Sequence, residues 1–456
     1  MRQHVLVGRF GQSDNTPIQV EPVENVVEIN LVDSQRTFTC GIGQAIHDLA
    51  SMGVVPSEIA FDLLIVAILV HAADTRISRT TESQDSWTRE IRLVIPVCNV
   101  ERWNRARQLL IRTLEFLTGD KWSINFRDRP NAFTRTMPEH TGELIEPPFG
   151  NISLFSGGLD SLIGAIDILD SGEIPLLVSH AGDGATSNAQ ASCFNALQAH
   201  YSPQTINRLR VWTNIPKTLF HNIPSEDTTR GRSFLFFAVG IFAGSGLNRE
   251  FTLCVPENGL IALNVPLDVL RLGSLSTRTT HPFYMARWNE MLEILEIPGK
   301  VVNPYWNQTK GEMAQGCAEP TLLQQIIPMS LSCSSPSKAR WQGRGIEHCG
   351  YCTPCLIRRS ALRAYFGEEG DPTTYTISDL TANELNTKRS IGQQIRSFKI
   401  AAERIRTHPD HARYLIYKSG PLSDMESLKS DELASVYSRG MHEVAQLLSN
   451  VRARPL

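Results

Sequence analysis

Hydrophobic and polar positions alternate through the middle of the chain in a way that predicts strands and helices in turn. Five short apolar runs have the composition of buried strands. Each run is followed by a segment whose apolar residues have helical spacing. The predicted strands are 151–155, 174–179, 209–212, 251–255 and 301–304. The predicted helices are 162–169, 189–200, 233–243, 284–295 and 311–317. This alternation favours an α/β fold, a parallel sheet with helices on both faces.

The flanking regions have different patterns. Residues 1–148 predict an N-terminal α+β accessory domain, with strands at 5–10, 26–32 and 91–97 and helices at 61–73 and 101–117. Residues 371–456 predict a helical C-terminal region, with its main helices at 391–405 and 431–448. The chain therefore divides into an accessory domain (1–148), a central α/β domain (149–330), a cysteine-containing element (331–370) and a helical tail (371–456).

The first central strand leads into the sequence Ser-Gly-Gly-Leu-Asp-Ser, residues 156–161. A glycine-rich turn before a helix presents backbone N–H groups and the positive end of the helix dipole to an anion. Asp160 suits such a site if Mg²⁺ lies between its carboxylate and a phosphate. The lysine of the motif GxxxxGK[ST] is absent, which excludes a Walker-type NTPase.

Ligands of open parallel sheets bind beyond the carboxyl ends of the strands. That rule predicts one active-site rim made of the glycine turn and the segments that follow the neighbouring strands. The rim candidates outside the turn are Ser179, His180, Glu257 and Asn258. His281 is a further loop histidine, for which an ordinary structural role is the commoner case.

Four cysteines are concentrated in one short region and predict a metal site. Three of them form C-x-x-C-x-x-C, and a fourth lies upstream: Cys349, Cys352, Cys355 and Cys333. Four thiolates suit a structural Zn²⁺ site with tetrahedral geometry. An iron–sulfur cluster is an alternative that the spacing leaves open.

Composition adds limits on partners and compartment. The 456 residues carry a net charge of -3, which gives no electrostatic case for general nucleic-acid binding. The longest uncharged apolar run, residues 63–70, is shorter than the roughly 20 residues of a membrane span. Clustered cysteines favour a metal site in a reducing compartment over a disulfide framework, so we expect a cytoplasmic protein.

The motif at 156–161 resembles the SGGxDS loop of the ATP pyrophosphatases, or PP-loop enzymes. Together with the downstream cysteines, it resembles in particular the 7-cyano-7-deazaguanine synthases (QueC). Segments 230–243 and 303–312 are similar to two further segments of that family, R-N-x-L-F and P-x-x-x-x-x-K-x-E. The resemblance covers residues 150–368 and implies the adenine-nucleotide α-hydrolase-like (PP-loop) fold.

The resemblance also implies roles for individual residues. Asp160, Arg232 and Lys310 would be catalytic, with the two cations facing the departing pyrophosphate. ATP and Mg²⁺ would be held by Ser156, Gly157, Gly158, Leu159, Asp160 and Ser161, with Ser179 and His180 nearby. Zn²⁺ would be held by Cys333, Cys349, Cys352 and Cys355.

Departures from the family pattern lie at residues 180–188 and 257–264, and both terminal regions are additional. The chain is more similar to the QueC-like proteins of Qat anti-phage defence systems. We therefore expect an ATP-dependent ligase that adenylates a 7-deazaguanine-type carboxylate and passes it to ammonia or to an amine on a partner protein of the same defence system. The alternatives are an RNA-modifying PP-loop enzyme and a non-catalytic, nucleotide-sensing subunit.

Overall fold

A computed structural model describes residues 3–138, 147, 149–182, 184–221, 223–226, 228–267, 278–368 and 370–455. The N-terminal part contains a four-stranded sheet with the order β2-β1-β3-β4. The strands are β1 (Gln3–Arg9), β2 (Glu24–Asn30), β3 (Glu90–Val97) and β4 (Lys121–Asp128). The helices of this part are α1 (Ile42–Ser51), α2 (Glu58–Arg76), α3 (Arg79–Glu82) and α4 (Val100–Thr118).

All neighbouring strands of this sheet run parallel, which corrects the expected α+β arrangement. Parallel strands need a crossover connection, and helices α1 to α3 and then α4 supply it between β2, β3 and β4. The N-terminal part is therefore α/β. The expected boundary at residue 148 lies outside the described residues.

The central sheet has five strands that all run parallel, as the alternating pattern predicted. Their order in the sheet is β7-β6-β5-β8-β9. The strands are β5 (Asn151–Leu154), β6 (Pro175–His180), β7 (Asn207–Val211), β8 (Phe251–Cys254) and β9 (Gly299–Val302). The helices are α5 (Leu159–Asp170), α6 (Gly184–His200), α7 (Arg232–Gly244), α8 (Gly259–Leu263), α9 (Pro282–Ile294), α10 (Lys310–Gln315) and α11 (Pro320–Ile326). The chain order reverses between β5 and β8, and such a switch point is where sheets of this kind bind ligands.

Helices cover both faces of the central sheet. Leu176 and Val178 of β6 belong to the same core as α7, whereas Leu177 between them packs with α5 on the opposite face. Helix α2 packs against both α7 and the N-terminal sheet. It is buried on nearly all sides, as expected of a helix between two layers. The N-terminal helices and one face of the central sheet therefore share a single hydrophobic core.

The C-terminal region forms a second helical core that also includes α8. The helices of this region are α13 (Ser390–Thr407), α14 (Ala412–Leu415) and α15 (Ser427–Leu447). Helix α12 (Thr353–Phe366) of the cysteine-containing element also contributes to the same core. A short parallel pair, β10 (Leu385–Asn386) and β11 (Ala453–Arg454), was not predicted. Across the described ranges, no helix has both the length and the apolarity needed to cross a membrane.

Candidate active site

The glycine turn lies at the carboxyl end of the central strand β5 and leads directly into α5. Gly157 has a φ of 77°, and a Cβ there would lie 2.8 Å from the backbone nitrogen of Gln190. Glycine is therefore required twice, by the left-handed backbone and by the approach of α6. The Ser156 and Ser161 hydroxyls lie 3.1 Å apart, and Ser161 Oγ also donates to the Gly158 carbonyl (3.0 Å). These contacts close the turn and aim the N-terminus of α5 at the rim.

Asp160 joins three chain segments that are far apart in sequence. Its Oδ1 forms a 2.6 Å ion pair with Lys310 Nζ, and both side chains are buried. Its Oδ2 accepts hydrogen bonds from Asn258 Nδ2 (2.7 Å) and from the Asn258 backbone N–H (3.2 Å). The structure thus brings together two of the three residues expected to be catalytic and places Asn258 beside them.

Lys310 is the first residue of α10, and a capping box holds it there. Thr309 Oγ1 accepts from the Glu312 N–H (3.1 Å), and Glu312 Oε2 accepts from the Thr309 N–H (2.8 Å). Arg439 of α15 donates to Glu312 Oε1 (2.6 Å). The C-terminal region therefore helps to fix the lysine that pairs with Asp160.

Glu257 is a second carboxyl on the same rim. Thr280 Oγ1 donates to its Oε2, and Asn303 Nδ2 donates to its backbone carbonyl (2.8 Å). Burial raises the pKa of Glu257 to about 7, and the nearby Asp160 carboxylate also raises it. This group can therefore exchange a proton near neutral pH, as a general acid or base must. The position of Glu257 on the rim was predicted from the sequence, whereas the raised pKa of its half-buried carboxyl was not.

Ser179 and Gln190 tie the end of β6 to the glycine turn. Ser179 Oγ donates to the Phe155 carbonyl (2.8 Å), so its hydroxyl serves the backbone of the rim. Gln190 Nε2 donates to the carbonyl groups of His180 (3.2 Å) and Ser156 (3.4 Å). Gln190 was not predicted, because only the folded chain brings α6 to the turn.

His180 and Arg232 lie on the β6 side of the rim. A Cβ at Gly182 would be 3.0 Å from Arg232 Nη2 and 3.8 Å from His180 Nδ1. The Phe236 ring packs against both, at 5.2 Å from the His180 ring and 4.9 Å from the Arg232 guanidinium carbon. Burial, together with Arg232 and His71, lowers the pKa of His180 to about 3. This imidazole is therefore neutral at physiological pH.

The N-terminal part contributes to the rim through helix α2. The sequence predicted this helix but not its contact with the rim. The His71 ring lies 5.8 Å from the His180 ring. Burial, then Arg232 and Arg76, lowers the pKa of His71 to about 4. Asp74, one turn further along α2, accepts from the Gly231 N–H (2.7 Å) immediately before Arg232. The only sequence signal was a pair of polar residues within a long apolar helix.

His281 has a structural role. It is fully buried, its Nδ1 accepts from the Phe283 N–H (3.2 Å) as the N-cap of α9, and its ring packs 5.1 Å from Phe116. The neighbouring residue Thr280, which contacts Glu257, is the part of this loop that reaches the rim.

The four predicted metal ligands converge. Their sulfur atoms all lie within 4.8 Å of one another, with Cys333–Cys352 and Cys349–Cys355 Sγ separations of 3.9 Å. A tetrahedral Zn²⁺ with bonds of about 2.3 Å places its sulfur ligands about 3.8 Å apart. The cluster therefore fits a single ion, whereas an iron–sulfur cluster would need room between the thiolates for several atoms.

Hydrogen bonding also suits thiolates at this site. The Cys349 and Ser335 N–H groups donate to Cys333 Sγ, and the Cys352 N–H donates to Cys349 Sγ, each at 3.3 Å. The neighbouring Cys333, Cys349 and Cys355 side chains hold the pKa of Cys352 well below its usual range. With four Cys ligands and no open position, a metal here would be structural.

Comparison with protein-family models gives no match, and no curated protein matches the chain.

Proposed function

We propose that this chain is an ATP-dependent ligase of the PP-loop, QueC-like type, which adenylates a 7-deazaguanine-type carboxylate and transfers it to a nitrogen nucleophile. The observation that carries the proposal is the Asp160–Lys310 pair beside a glycine turn, at the switch point of a parallel sheet. This arrangement combines an anion-binding helix N-terminus, a cation and a carboxylate at one point.

The first chemical step is attack of the substrate carboxylate on the α-phosphorus of ATP. The bond from that phosphorus to the bridging oxygen breaks, and pyrophosphate leaves with its electron pair. The N–H groups that follow Leu159 in the first turn of α5 and the Lys310 ammonium stabilise the negative charge that develops on the leaving group. The Leu159 N–H itself is engaged by Ser332 Oγ. Mg²⁺ bound by Asp160 and the phosphates would supply further charge neutralisation.

The second step is attack of a nitrogen nucleophile on the acyl adenylate, with AMP as the leaving group and loss of one proton from nitrogen. Glu257 lies on the same rim and has a pKa of about 7, so it can accept that proton. Ammonia gives an amide. An amine on a partner protein of the defence system gives a modified protein instead, and the additional terminal regions favour this version.

The test is to incubate the full chain with ATP, Mg²⁺, 7-carboxy-7-deazaguanine and an ammonium salt as the nitrogen nucleophile, and to measure AMP and pyrophosphate. We expect both products in equal amounts, and a decrease of about 10²- to 10³-fold in the Asp160→Asn variant. Asp170→Asn, an exposed change at the other end of α5, is the matched control and should keep full activity.

The other outcomes separate the alternatives. ATP binding without pyrophosphate release would make the chain a nucleotide-sensing subunit. Turnover that requires RNA would make it an RNA-modifying enzyme, which the net charge of -3 disfavours. Adding candidate partners to the reaction should give a mass shift on one of them. A small-molecule amide or nitrile as the sole product would reject the protein-modifying version.

A further inference from the structure

The cysteine-containing element contacts the glycine turn directly. The Leu331 N–H donates to the Gly157 carbonyl (2.8 Å), and Ser332 Oγ accepts from the Leu159 N–H (3.4 Å). These two contacts lie on either side of Gly158, at the point where the turn becomes α5. The backbone at the proposed phosphate site is therefore held by the two residues that precede Cys333.

The same segment is fixed from the side of the cysteine cluster. The Ser332 N–H donates to His348 Nε2 (3.1 Å), and His348 is the residue before Cys349. Ser332 is thus adjacent to one metal ligand and hydrogen-bonded to the neighbour of another. A change in the position of either cysteine must move Ser332, because one peptide bond joins it to Cys333 and one hydrogen bond joins it to the residue before Cys349.

Arg358 adds a third connection. It lies on α12 one turn after Cys355 and is fully buried. Its guanidinium donates to Ser330 Oγ (2.9 Å), Ser332 Oγ (3.3 Å) and the Ile327 carbonyl (2.8 Å). The planar fork of an arginine holds several acceptors in one fixed geometry, and a lysine cannot replace it.

The geometry points to Ser332 and Arg358 as positioning residues that couple the cysteine cluster to the glycine turn. Metal binding at the cluster orders the backbone that receives the phosphates, and nucleotide at the turn in return slows loss of the metal. Such coupling is reciprocal in the binding free energies of the metal and the nucleotide. Tighter metal binding with an unchanged rate of metal association gives slower metal release. The inference rests on the proposed function in one respect, that the turn binds a nucleotide.

The experiment measures the rate at which the zinc-loaded full chain loses Zn²⁺ to a chromogenic chelator, with and without Mg²⁺ and the non-hydrolysable analogue α,β-methylene-ATP. Binding of the nucleotide is followed separately by equilibrium dialysis. We expect the nucleotide to slow metal release about 10-fold, within the usual range of coupling between sites. In Ser332→Ala, which loses the hydroxyl contact to the Leu159 N–H but keeps the Leu331 contact to Gly157, the nucleotide should slow metal release clearly less than in the wild type.

Two further variants serve as controls. Ser332→Thr keeps the hydroxyl and should restore the effect of the nucleotide. Ser335→Ala lies equally close to the cluster but reaches Cys333 through its backbone N–H, which the change retains, so it should behave as the wild type does. Nucleotide binding without any change in metal release, or equal slowing in Ser332→Ala, would overturn the coupling alone. Failure of the wild type to bind nucleotide would overturn the proposed function as well.

Discussion

At the scale of single residues, the site depends on a few positions that only one side chain can fill. Gly157 is one of them, since its φ of 77° and its 2.8 Å approach to the Gln190 backbone both exclude a Cβ. Asp160 is another, because its two oxygens satisfy Lys310 and Asn258 at once. Removing one member of a buried ion pair leaves the other charge uncompensated.

Gly157→Ala should therefore displace the turn and weaken nucleotide binding, whereas a glycine with the same backbone strain but open space should tolerate the change. Gly172 is that control, with a φ of 85° and no atom within 4 Å of the position that a Cβ would take. We expect Gly172→Ala to cost about 1 kcal/mol of unfolding free energy and Gly157→Ala to cost about 2–4 kcal/mol. Chemical denaturation and nucleotide titration of both variants provide the comparison. Equal costs would contradict the close approach of α6.

Glu257 predicts a pH dependence of stability. Its pKa of about 7 in the folded protein lies above the ordinary carboxyl value, so the folded state binds more protons than the unfolded state between about pH 4.5 and 7. Stability from this group is present below that window and is lost as pH rises through it. Relative to Glu257→Gln, the wild type should lose about 1–3 kcal/mol between pH 4.5 and 7.5.

Denaturant unfolding of both proteins at several pH values measures this difference, since titrating groups that do not interact with Glu257 contribute equally to both proteins. A constant difference between the two proteins across the range would show that Glu257 titrates at an ordinary carboxyl pKa. It would then be ionised at neutral pH and could not hold a proton there.

At the scale of elements, the short helix α10 shows how local capping serves the site. The capping box of Thr309 and Glu312 begins the helix, and Lys310 at its first position pairs with Asp160. Thr309→Ala should lower the free energy of unfolding by about 1 kcal/mol. It should also lower turnover, because the start of α10, which positions Lys310, is no longer fixed by the cap. Thr309→Ser retains the hydroxyl and should preserve both. Loss of stability in Thr309→Ala without any change in turnover would show that the helix cap does not affect the catalytic position of Lys310.

Most elements of the central sheet could be predicted, because the spacing of apolar residues within each segment is enough to distinguish a strand from a helix. Strand β4 was not predicted, although Trp122, Ile124 and Phe126 lie at alternate positions in it. Strand direction in the N-terminal sheet could not be read, because a single strand's pattern does not depend on the direction of its neighbours. The cysteine ligands follow from spacing, and the geometry confirms that they converge.

The contacts that build the rim could not be predicted in the same way. Asp160 and Lys310 are 150 positions apart, and His71 lies on helix α2 whereas His180 ends strand β6. Such pairs form only when distant segments pack together in the folded chain, so no local sequence pattern predicts them. The family resemblance suggested Lys310 and Arg232, but it could not suggest His71 or Asp74, which lie outside the matching region.

At the scale of the whole molecule, the N-terminal part and the central sheet share one hydrophobic core, so we expect them to unfold as one cooperative unit. Phe61 of α2 contacts Phe242 of α7, with ring centroids 6.3 Å apart, inside the shared core. Both side chains are fully buried. The N-terminal part therefore supports the rim through packing as well as through His71 and Asp74.

Phe61→Ala tests this unity. The change should lower the free energy of unfolding by about 3–5 kcal/mol. In calorimetry it should shift a single unfolding transition of the whole chain to lower temperature. Leu428→Ala, at a position that is 73% exposed, is the control and should have little effect. A new, separate low-temperature transition in Phe61→Ala, with the main transition unmoved, would show that the N-terminal part unfolds independently.

The proposed function depends above all on the glycine turn and Asp160 receiving the triphosphate of ATP. A crystal structure of the full chain with Mg²⁺ and α,β-methylene-ATP would show directly whether this contact forms. We expect phosphate oxygens against the N–H groups at the start of α5, with Mg²⁺ between them and Asp160 and with Lys310 turned towards the phosphates. A nucleotide bound elsewhere, or a turn left unchanged with the Asp160–Lys310 pair intact, would contradict the proposal.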